Sequence, residues 1–212
     1  MDFSYIFWDN DGVLVDTERY YFQASQEALA KVGIVLEDKQ FAALSLTRGH
    51  SIFDLAQAHG HSAQELEELR DWRNQRYTEL LNLNNTLIPG VRAVLNHLFG
   101  KLGMAIVTSS RRDHFNTMHS QTGLTTFFDF ILTREDYLQS KPSPEPYLLA
   151  LQKSGCRPED CLVIEDSPRG LTAAKAAGLT CWVIPGLLTE RQHLDHADRI
   201  LEQISDIQDL LD

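Results

Sequence analysis

The chain has 212 residues, of which 43% are hydrophobic and 23% are charged, as in an ordinary soluble globular protein. This length suffices for one α/β domain, or for a core domain that carries a small insertion. The net charge of −11, with no basic run to offset it, argues against a nucleic-acid or membrane partner. An anionic substrate would therefore need a local cation or a bound metal.

The cysteines and the N-terminal stretch indicate a reduced, cytoplasmic protein. Cys156, Cys161 and Cys181 are odd in number and form no C-x-x-C motif, which is not the pattern of a disulfide framework. The stretch MDFSYIFWD has no basic region and only a short apolar run, so we do not expect a signal peptide. No apolar run approaches the ~20 residues of a membrane-spanning helix. We expect a monomer or weak homodimer.

The first apolar run, YIFW (5–8), is followed at once by Asp9, Asp11 and Gly12. A β-hairpin is one explanation, because the D-G pair is a strong turn signal. A calcium loop is another, but Val13 takes the fifth position, where an oxygen ligand is needed. The third explanation is an acidic pair at the end of a buried parallel strand. This stretch alone leaves the three open.

Five nearly continuous apolar runs predict strands that are buried on both faces of a parallel sheet. They are 5–8, 104–108, 128–132, 161–165 and 181–185. Between the later runs lie helix-length segments, namely 111–121, 144–153 and a helix with Ser167 as N-cap that ends near Gly178. This alternation predicts an α/β fold with a doubly wound open parallel sheet.

The first two predicted strands are separated by roughly eighty residues, too many for one crossover. Helical spacing occurs within this segment at 17–31, 38–44, 51–58 and 63–83. We therefore predict a core domain made of 1–15 and 85–212, with an inserted α-helical cap domain over 16–84. An insertion rooted at the end of the first strand is well placed to act as a lid over a site.

Polar side chains follow several of the predicted strands, at the edge where open parallel sheets bind ligands. They are Asp9 and Asp11, Thr108 to Ser110, Glu165 and Asp166, with Lys141 in the loop after the third strand. Carboxylates can hold Mg²⁺ or attack phosphorus, and a second carboxyl can transfer protons. Hydroxyls and a lysine can neutralise phosphoryl oxygens. Each residue alone would more simply be a helix cap or a surface charge, but their convergence predicts phosphoryl transfer.

Four motifs in this order, DNDGVLVDTE, VTSS, KPSPEPY and VIEDSPRG, resemble those of the haloacid dehalogenase (HAD) superfamily. The resemblance extends over nearly the whole chain. It is strongest to the β-phosphoglucomutase-like and phosphoglycolate phosphatase-like subgroup, which has a Rossmann-like core and a helical cap after the first motif. It implies that Asp9 is the nucleophile and a Mg²⁺ ligand, and that Asp11 is the general acid and base. Asp11 would bind the metal through its backbone carbonyl, and Glu165 with Asp166 would complete the metal site.

The resemblance also implies a set of substrate contacts. Thr108, the Ser109 amide and Ser110 would bind the phosphoryl group, and Lys141 would bridge it to Asp9. Arg48 stands where the phosphomutases of this subgroup hold a distal phosphate. Arg111 and Arg112 follow the second motif. All three arginines are either a grip for a second anionic group or surface charge.

Two departures from the family pattern bear on function. Asn10 replaces the apolar residue usual between the two aspartates, and Tyr21 lies near the place of a histidine that the phosphomutases keep. A phenol is a poor proton shuttle at neutral pH, which favours hydrolysis. We therefore predict a Mg²⁺-dependent phosphatase that hydrolyses a small phosphorylated metabolite, such as a sugar phosphate or phosphoglycolate, through an aspartyl-phosphate. The alternatives are a β-phosphoglucomutase-like phosphomutase, suggested by Arg48, and a phospho-accepting signalling module.

Overall fold

The computed structural model describes residues 3–84, 86–186, 188–189 and 191–211. Within them, six strands form one parallel sheet in the spatial order β3-β2-β1-β4-β5-β6. The strands are β1 Tyr5–Trp8, β2 Gly103–Val107, β3 Phe130–Leu132, β4 Cys161–Glu165, β5 Thr180–Val183 and β6 Arg199–Ile200. The doubly wound parallel sheet expected from the sequence is thereby confirmed. Residues 1, 2, 85 and 212, which lie at predicted domain limits, are outside the described residues.

β1 occupies the centre of the sheet because its side chains are apolar on both faces. Ile6 and Trp8 pack into one hydrophobic core, and Tyr5 and Phe7 pack into the other. Its backbone pairs in parallel with β2 on one side and with β4 on the other. The hairpin explanation for YIFWDNDG is therefore wrong, because β1 does not pair with the segment that follows it.

Helices cover both faces of this sheet, as the alternation of runs predicted. In chain order the α-helices are α1 Glu18–Ala30, α2 Asp38–Phe41, α3 Asp54–Ala58, α4 Ala63–Leu83, α5 Val91–Leu98, α6 Arg112–His119, α7 Glu145–Ser154, α8 Pro168–Ala176 and α9 Asp206–Leu211. The Ser167 side chain caps α8, as predicted. Among the described helices, none combines the length and the hydropathy needed to cross a membrane.

The helices from α1 to α4 come between β1 and β2 in the chain and pack around two hydrophobic clusters, the second of which also contains Val15 and Met118 of α6. The predicted helix at 38–44 is instead the short α2, continued by a π-helix over Ala42–Thr47. The helix predicted to begin at Ser51 begins at Asp54, because the Ser51 hydroxyl accepts the Phe53 N–H and forms a local turn. The limits 15/16 and 84/85 stay a prediction.

Candidate active site

The loop that follows β1 turns sharply at Gly12. This residue has a φ of 83°, and a Cβ atom added to it would lie 2.1 Å from Asp166 Oδ2. A side chain at this position would be strained by the backbone and would collide with the carboxylate. The turn and the missing side chain together allow the loop after β1 to lie directly against the end of β4.

Lys141 lies in the middle of the site and is almost completely buried. Its Nζ donates to Asp9 Oδ1 at 2.8 Å, to Glu165 Oε1 at 2.7 Å and to the Val107 carbonyl at 2.8 Å. Burial alone would lower the Lys141 pKa, but the Asp9 and Glu165 carboxylates outweigh it and raise the pKa above its ordinary value. The ammonium group is therefore charged and held by three acceptors.

Three buried carboxylates cluster around this ammonium group. Asp9, Glu165 and Asp166 each offer one oxygen, and these oxygens lie within 4.8 Å of one another. Burial, followed by the charge of Glu165, raises the Asp9 pKa to about 7. Burial, followed by the Asp9 and Glu165 charges, also raises the Asp166 pKa well above its ordinary value. One lysine does not balance three carboxylates, so an oxygen-preferring divalent cation fits this donor set.

Glu165 has a supporting position within this cluster. Its Oε1 accepts from Lys141 and, at 2.5 Å, from the Tyr147 hydroxyl, while its Oε2 accepts from the Asp166 N–H and the Ser167 hydroxyl. A Cβ atom on Gly170 would lie 1.9 Å from Glu165 Oε2, so the first turn of α8 closes over this carboxylate. Both Glu165 carboxylate oxygens are thus engaged within the protein, and one of them holds Lys141.

Asp11 accepts hydrogen bonds from four side chains. Thr17 Oγ1 donates to its Oδ1 at 2.5 Å, and Ser110 Oγ donates to its Oδ2 at 2.7 Å. Thr108 Oγ1 and Asn10 Nδ2 also donate to Oδ2, each at 3.2 Å. These donors hold the Asp11 carboxyl between the end of β2 and the start of α1.

Asn10 is fully buried and connects this carboxyl to α6. Its Oδ1 lies 2.7 Å from His119 Nε2, while its Nδ2 donates to Asp11 and, at 3.2 Å, to Met118 Sδ. Because an amide oxygen only accepts, His119 Nε2 carries the proton, and Nδ1 accepts from the Thr122 hydroxyl. The polar residue between the two aspartates is therefore matched by a buried histidine, and burial lowers the His119 pKa to about 4.

This depressed pKa leads to a prediction about acid stability. Below its ordinary pKa of 6.5, His119 takes up a proton in the unfolded chain, whereas the folded protein resists protonation until about pH 4. Stability is fully present above pH 6.5 and falls as the pH drops toward 4, by at most about 1.4 kcal/mol per pH unit. In urea titrations at a series of pH values, His119→Gln should flatten this part of the curve. Its amide can still donate to Asn10.

The exposed His59 supplies the control, because its imidazole lies at the surface. His59→Gln should change the free energy of unfolding at pH 7 by no more than about 0.5 kcal/mol, which measures the effect of losing an exposed imidazole. Equal slopes between pH 6.5 and 4 in the wild type and in His119→Gln would contradict the assignment of a neutral, buried His119.

A cavity of about 260 Å³ opens between this cluster and the helices α1 to α4. Its walls include Asp9, Asp11, Thr17, Glu18, Tyr21, Arg73, Asn74, Tyr77, Thr108, Ser109, Ser110, Arg111, His114, Arg134, Ser140, Lys141, Asp166 and Arg169. The expected phosphoryl-binding residues are thus brought together at one end. The Ser109 hydroxyl accepts from Ser140 Oγ at 2.9 Å, and the Thr108 hydroxyl accepts the Ser110 N–H at 3.0 Å.

The arginines proposed from the sequence are placed less favourably. Arg48 is exposed and is not among the described residues that line the cavity. Arg111 does line it, but its guanidinium pairs with Asp113. Arg112 is exposed and pairs with Asp136. A different arginine, Arg73 of α4, faces the cavity beside Tyr21, and no sequence motif marked it.

Comparison with known proteins agrees with this geometry. Residues 6–184 match the family model of the haloacid dehalogenase-like hydrolases. The chain is 31% identical to YhcW of Bacillus subtilis over 96% of this chain and 93% of that protein. It is 30% identical to the phosphorylated carbohydrates phosphatase of Thermotoga maritima, over 82% and 81% of the two chains.

The structure of CbbY from Rhodobacter sphaeroides in complex with xylulose-(1,5)bisphosphate is also similar. It has a TM-score of 0.81 and 26% identity, with 95% of this chain and 94% of CbbY covered. The match of the family model spans most of the chain and includes all four motifs. The chain therefore belongs to the haloacid dehalogenase-like hydrolase family.

Proposed function

We propose that this phosphoric monoester hydrolase is a Mg²⁺-dependent phosphatase that acts on a small phosphorylated metabolite through an aspartyl-phosphate. One observation carries the proposal. The Asp9 carboxylate, at the end of the central strand, faces the cavity while Lys141 and Asp166 surround it. A carboxylate held this way has a cation on one side and space for a phosphoryl group on the other.

In the first step, the Asp9 carboxylate attacks phosphorus and forms an acyl-phosphate bond. The bond between phosphorus and the ester oxygen breaks, and Asp11 gives its proton to the leaving alkoxide. The Lys141 ammonium, the Thr108 hydroxyl and the Ser109 amide stabilise the charge on the other phosphoryl oxygens. Four side chains fix the Asp11 carboxyl at the cavity wall, and three of them are hydroxyls, which can turn from donor to acceptor when Asp11 carries the proton that it transfers.

In the second step, a water molecule attacks the phosphorus of the aspartyl-phosphate and passes a proton to Asp11. The bond from phosphorus to the Asp9 oxygen breaks, which releases inorganic phosphate and regenerates the nucleophile. Asp9 and Asp166, with the Asp11 backbone carbonyl, would hold the metal, and Glu165 would complete the site from beside them. When bound, Mg²⁺ supplies positive charge that offsets the negative charge developing on the phosphoryl oxygens.

The size of the cavity and the relatives support a small substrate such as a sugar phosphate or phosphoglycolate. A volume of about 260 Å³ suits a small metabolite. One relative is named for phosphorylated carbohydrates, and another is solved with a bisphosphorylated sugar. The phosphomutase alternative has less support, since Arg48, on which it depended, is exposed and outside the described cavity wall.

Metal removal combined with product analysis tests this proposal. Hydrolysis of p-nitrophenyl phosphate should fall about 100-fold or more in EDTA and return when Mg²⁺ is added in excess. With a sugar 1-phosphate that the enzyme consumes, inorganic phosphate should appear in equal amount. Activity that survives EDTA would overturn the metal requirement. A sugar 6-phosphate product would instead identify a mutase, and a phosphoprotein without turnover would identify a signalling module.

A further inference from the structure

The cationic side chains that line the cavity differ in what they contact. Within the described residues, these cations are Arg73, Arg111, Arg134, Lys141 and Arg169. Lys141 and Arg111 have carboxylate partners, and Arg134 donates to the carbonyls of Tyr137 and Leu138. Arg169 lies near the acidic end, where its charge opposes the raised pKa values of Glu18 and Asp166. Arg73 is the remaining cation, and none of these contacts accounts for its charge.

Arg73 is held in place without a carboxylate partner among the described residues. Its Nε donates to Asn74 Oδ1 at 3.0 Å, and its guanidinium lies 4.5 Å from the Tyr21 ring centroid and 5.4 Å from that of Phe53. By contrast, Arg76 on the same helix pairs with Glu27 and Glu79. Stacking fixes the plane of a guanidinium and leaves its terminal N–H groups available for an anion.

His114 also lines this cavity, on the side of α6. The residue is only 3% exposed, and its Nε2 has no hydrogen-bond partner among the described residues. Burial lowers the His114 pKa, so the ring is neutral at pH 7. A buried ring nitrogen without a partner is unfavourable, and a ligand hydroxyl, which can both donate and accept, would satisfy it.

We propose that Arg73, Asn74 and His114 form a second subsite, which binds an acidic group of the substrate at Arg73 and a neighbouring hydroxyl at His114. The inference rests on the proposed phosphatase function and narrows its substrate class to phosphate monoesters that carry a second acidic group, a carboxylate or a further phosphate. Asn74 orients the Arg73 guanidinium through the contact with Nε.

Matched ligands separate the two contacts. 3-Phosphoglycerate has a carboxylate and a hydroxyl, glycerol 3-phosphate replaces the carboxylate by an alcohol, and 2-phosphoglycolate has the carboxylate without the hydroxyl. The wild type should prefer 3-phosphoglycerate to glycerol 3-phosphate in kcat/KM. Arg73→Gln should reduce this preference about 10- to 100-fold, mainly through KM, whereas kcat/KM for glycerol 3-phosphate, which has no second acidic group, should change far less. Comparing kcat/KM for fructose 1,6-bisphosphate and fructose 6-phosphate tests in the same way whether the acidic group is a second phosphate.

Arg76→Gln is the matched control, because Arg76 is three residues away in α4 and already has carboxylate partners. It should leave the preference unchanged. His114→Phe should weaken the binding of 3-phosphoglycerate but not that of 2-phosphoglycolate. This difference separates loss of the hydroxyl contact from loss of folding, which would affect both ligands. Arg73→Lys keeps the positive charge but not the planar guanidinium, and it should retain part of the preference for 3-phosphoglycerate.

Calorimetric titration of the Asp9→Asn protein with these ligands in Mg²⁺ makes the test independent of turnover. If p-nitrophenyl phosphate is not hydrolysed, the phosphatase proposal fails, while the ligand affinities still decide on the subsite. Equal affinity of the wild-type site for 3-phosphoglycerate and glycerol 3-phosphate would overturn the inference. An equal loss of affinity for 3-phosphoglycerate and glycerol 3-phosphate in Arg73→Gln would also overturn it.

Discussion

Replacing Asp9 by asparagine is expected to abolish phosphate release while the protein stays folded. Asparagine has almost the same shape, but its amide is not a nucleophile, so kcat should fall about ten-thousandfold or more. The fold should tolerate the change, because burial and Glu165 already oppose the charge on Asp9 and raise its pKa. Lys141 would keep Glu165 as a carboxylate partner. Turnover of p-nitrophenyl phosphate and the thermal midpoint are the two measurements.

Asp16→Asn is the matched control for this substitution. Asp16 is four residues beyond Gly12 and pairs with Arg19 at 3.4 Å, with 54% of its side chain exposed. The same chemical change there should leave kcat within about twofold, as for an exposed ion pair of little energetic weight. An Asp9→Asn enzyme with activity close to that of the control would refute the nucleophile assignment.

Replacing Lys141 by methionine is expected to remove activity and to destabilise the fold. Methionine keeps the length of the side chain but not its charge, which leaves Asp9 and Glu165 buried without their shared cation. Breaking a buried ion pair in this way costs about 3–5 kcal/mol. Urea denaturation in EDTA measures the loss of unfolding free energy, without compensation from a bound metal.

Lys175→Met is the control, because Lys175 pairs with Asp198 at 2.7 Å but both side chains are about one-third exposed. That pair should contribute at most about 1 kcal/mol. The double variant Lys141→Met with Asp9→Asn should recover part of the stability lost in Lys141→Met, since one uncompensated charge is gone. Equal losses at Lys141 and Lys175 would contradict the central role of Lys141.

The sheet could be predicted because its strands carry strong local signals. The apolar runs around Phe7, Ile106 and Val163 are nearly continuous, and a strand buried on both faces requires such a run. β6 was missed because Arg199 and Ile200 are exposed and form only a two-residue strand. The π-helix over Ala42–Thr47 has no comparable sequence signature, since the same residues are compatible with an ordinary helix.

The acidic site was predictable for a related reason. Asp9, Thr108 and Asp166 each follow a strand, and the carboxyl ends of parallel strands meet at one edge of the sheet. Their catalytic roles remain proposals. Tyr147 and His119 were not predicted, because each contacts its partner through packing between elements distant in sequence. A lone tyrosine or histidine on a helix has no local feature that indicates such a contact.

The arginines show where sequence reasoning reaches its limit. Arg48 was a candidate because it stands where the phosphomutases hold a distal phosphate, yet its side chain is exposed. Arg73 was not predicted as a site residue, because it is one of many charged residues in its helix, yet it lines the cavity. Neighbouring residues on a helix point in different directions, so the sequence alone does not show which side chain of α4 faces the cavity. That depends on how α1 and α4 pack against each other.

The central place of β1 has a consequence for the order in which the protein folds. Tyr5 pairs with Gly103 on one side and with Cys161 on the other, so β1 waits for partners that are made much later. Helices α1 and α4 contact each other across a shorter separation in the chain, and we expect them to assemble first. A nascent chain that stops before β4 would already contain Asp9 but could not yet assemble the pocket around it. Catalytic competence should therefore appear only after β4 has been made.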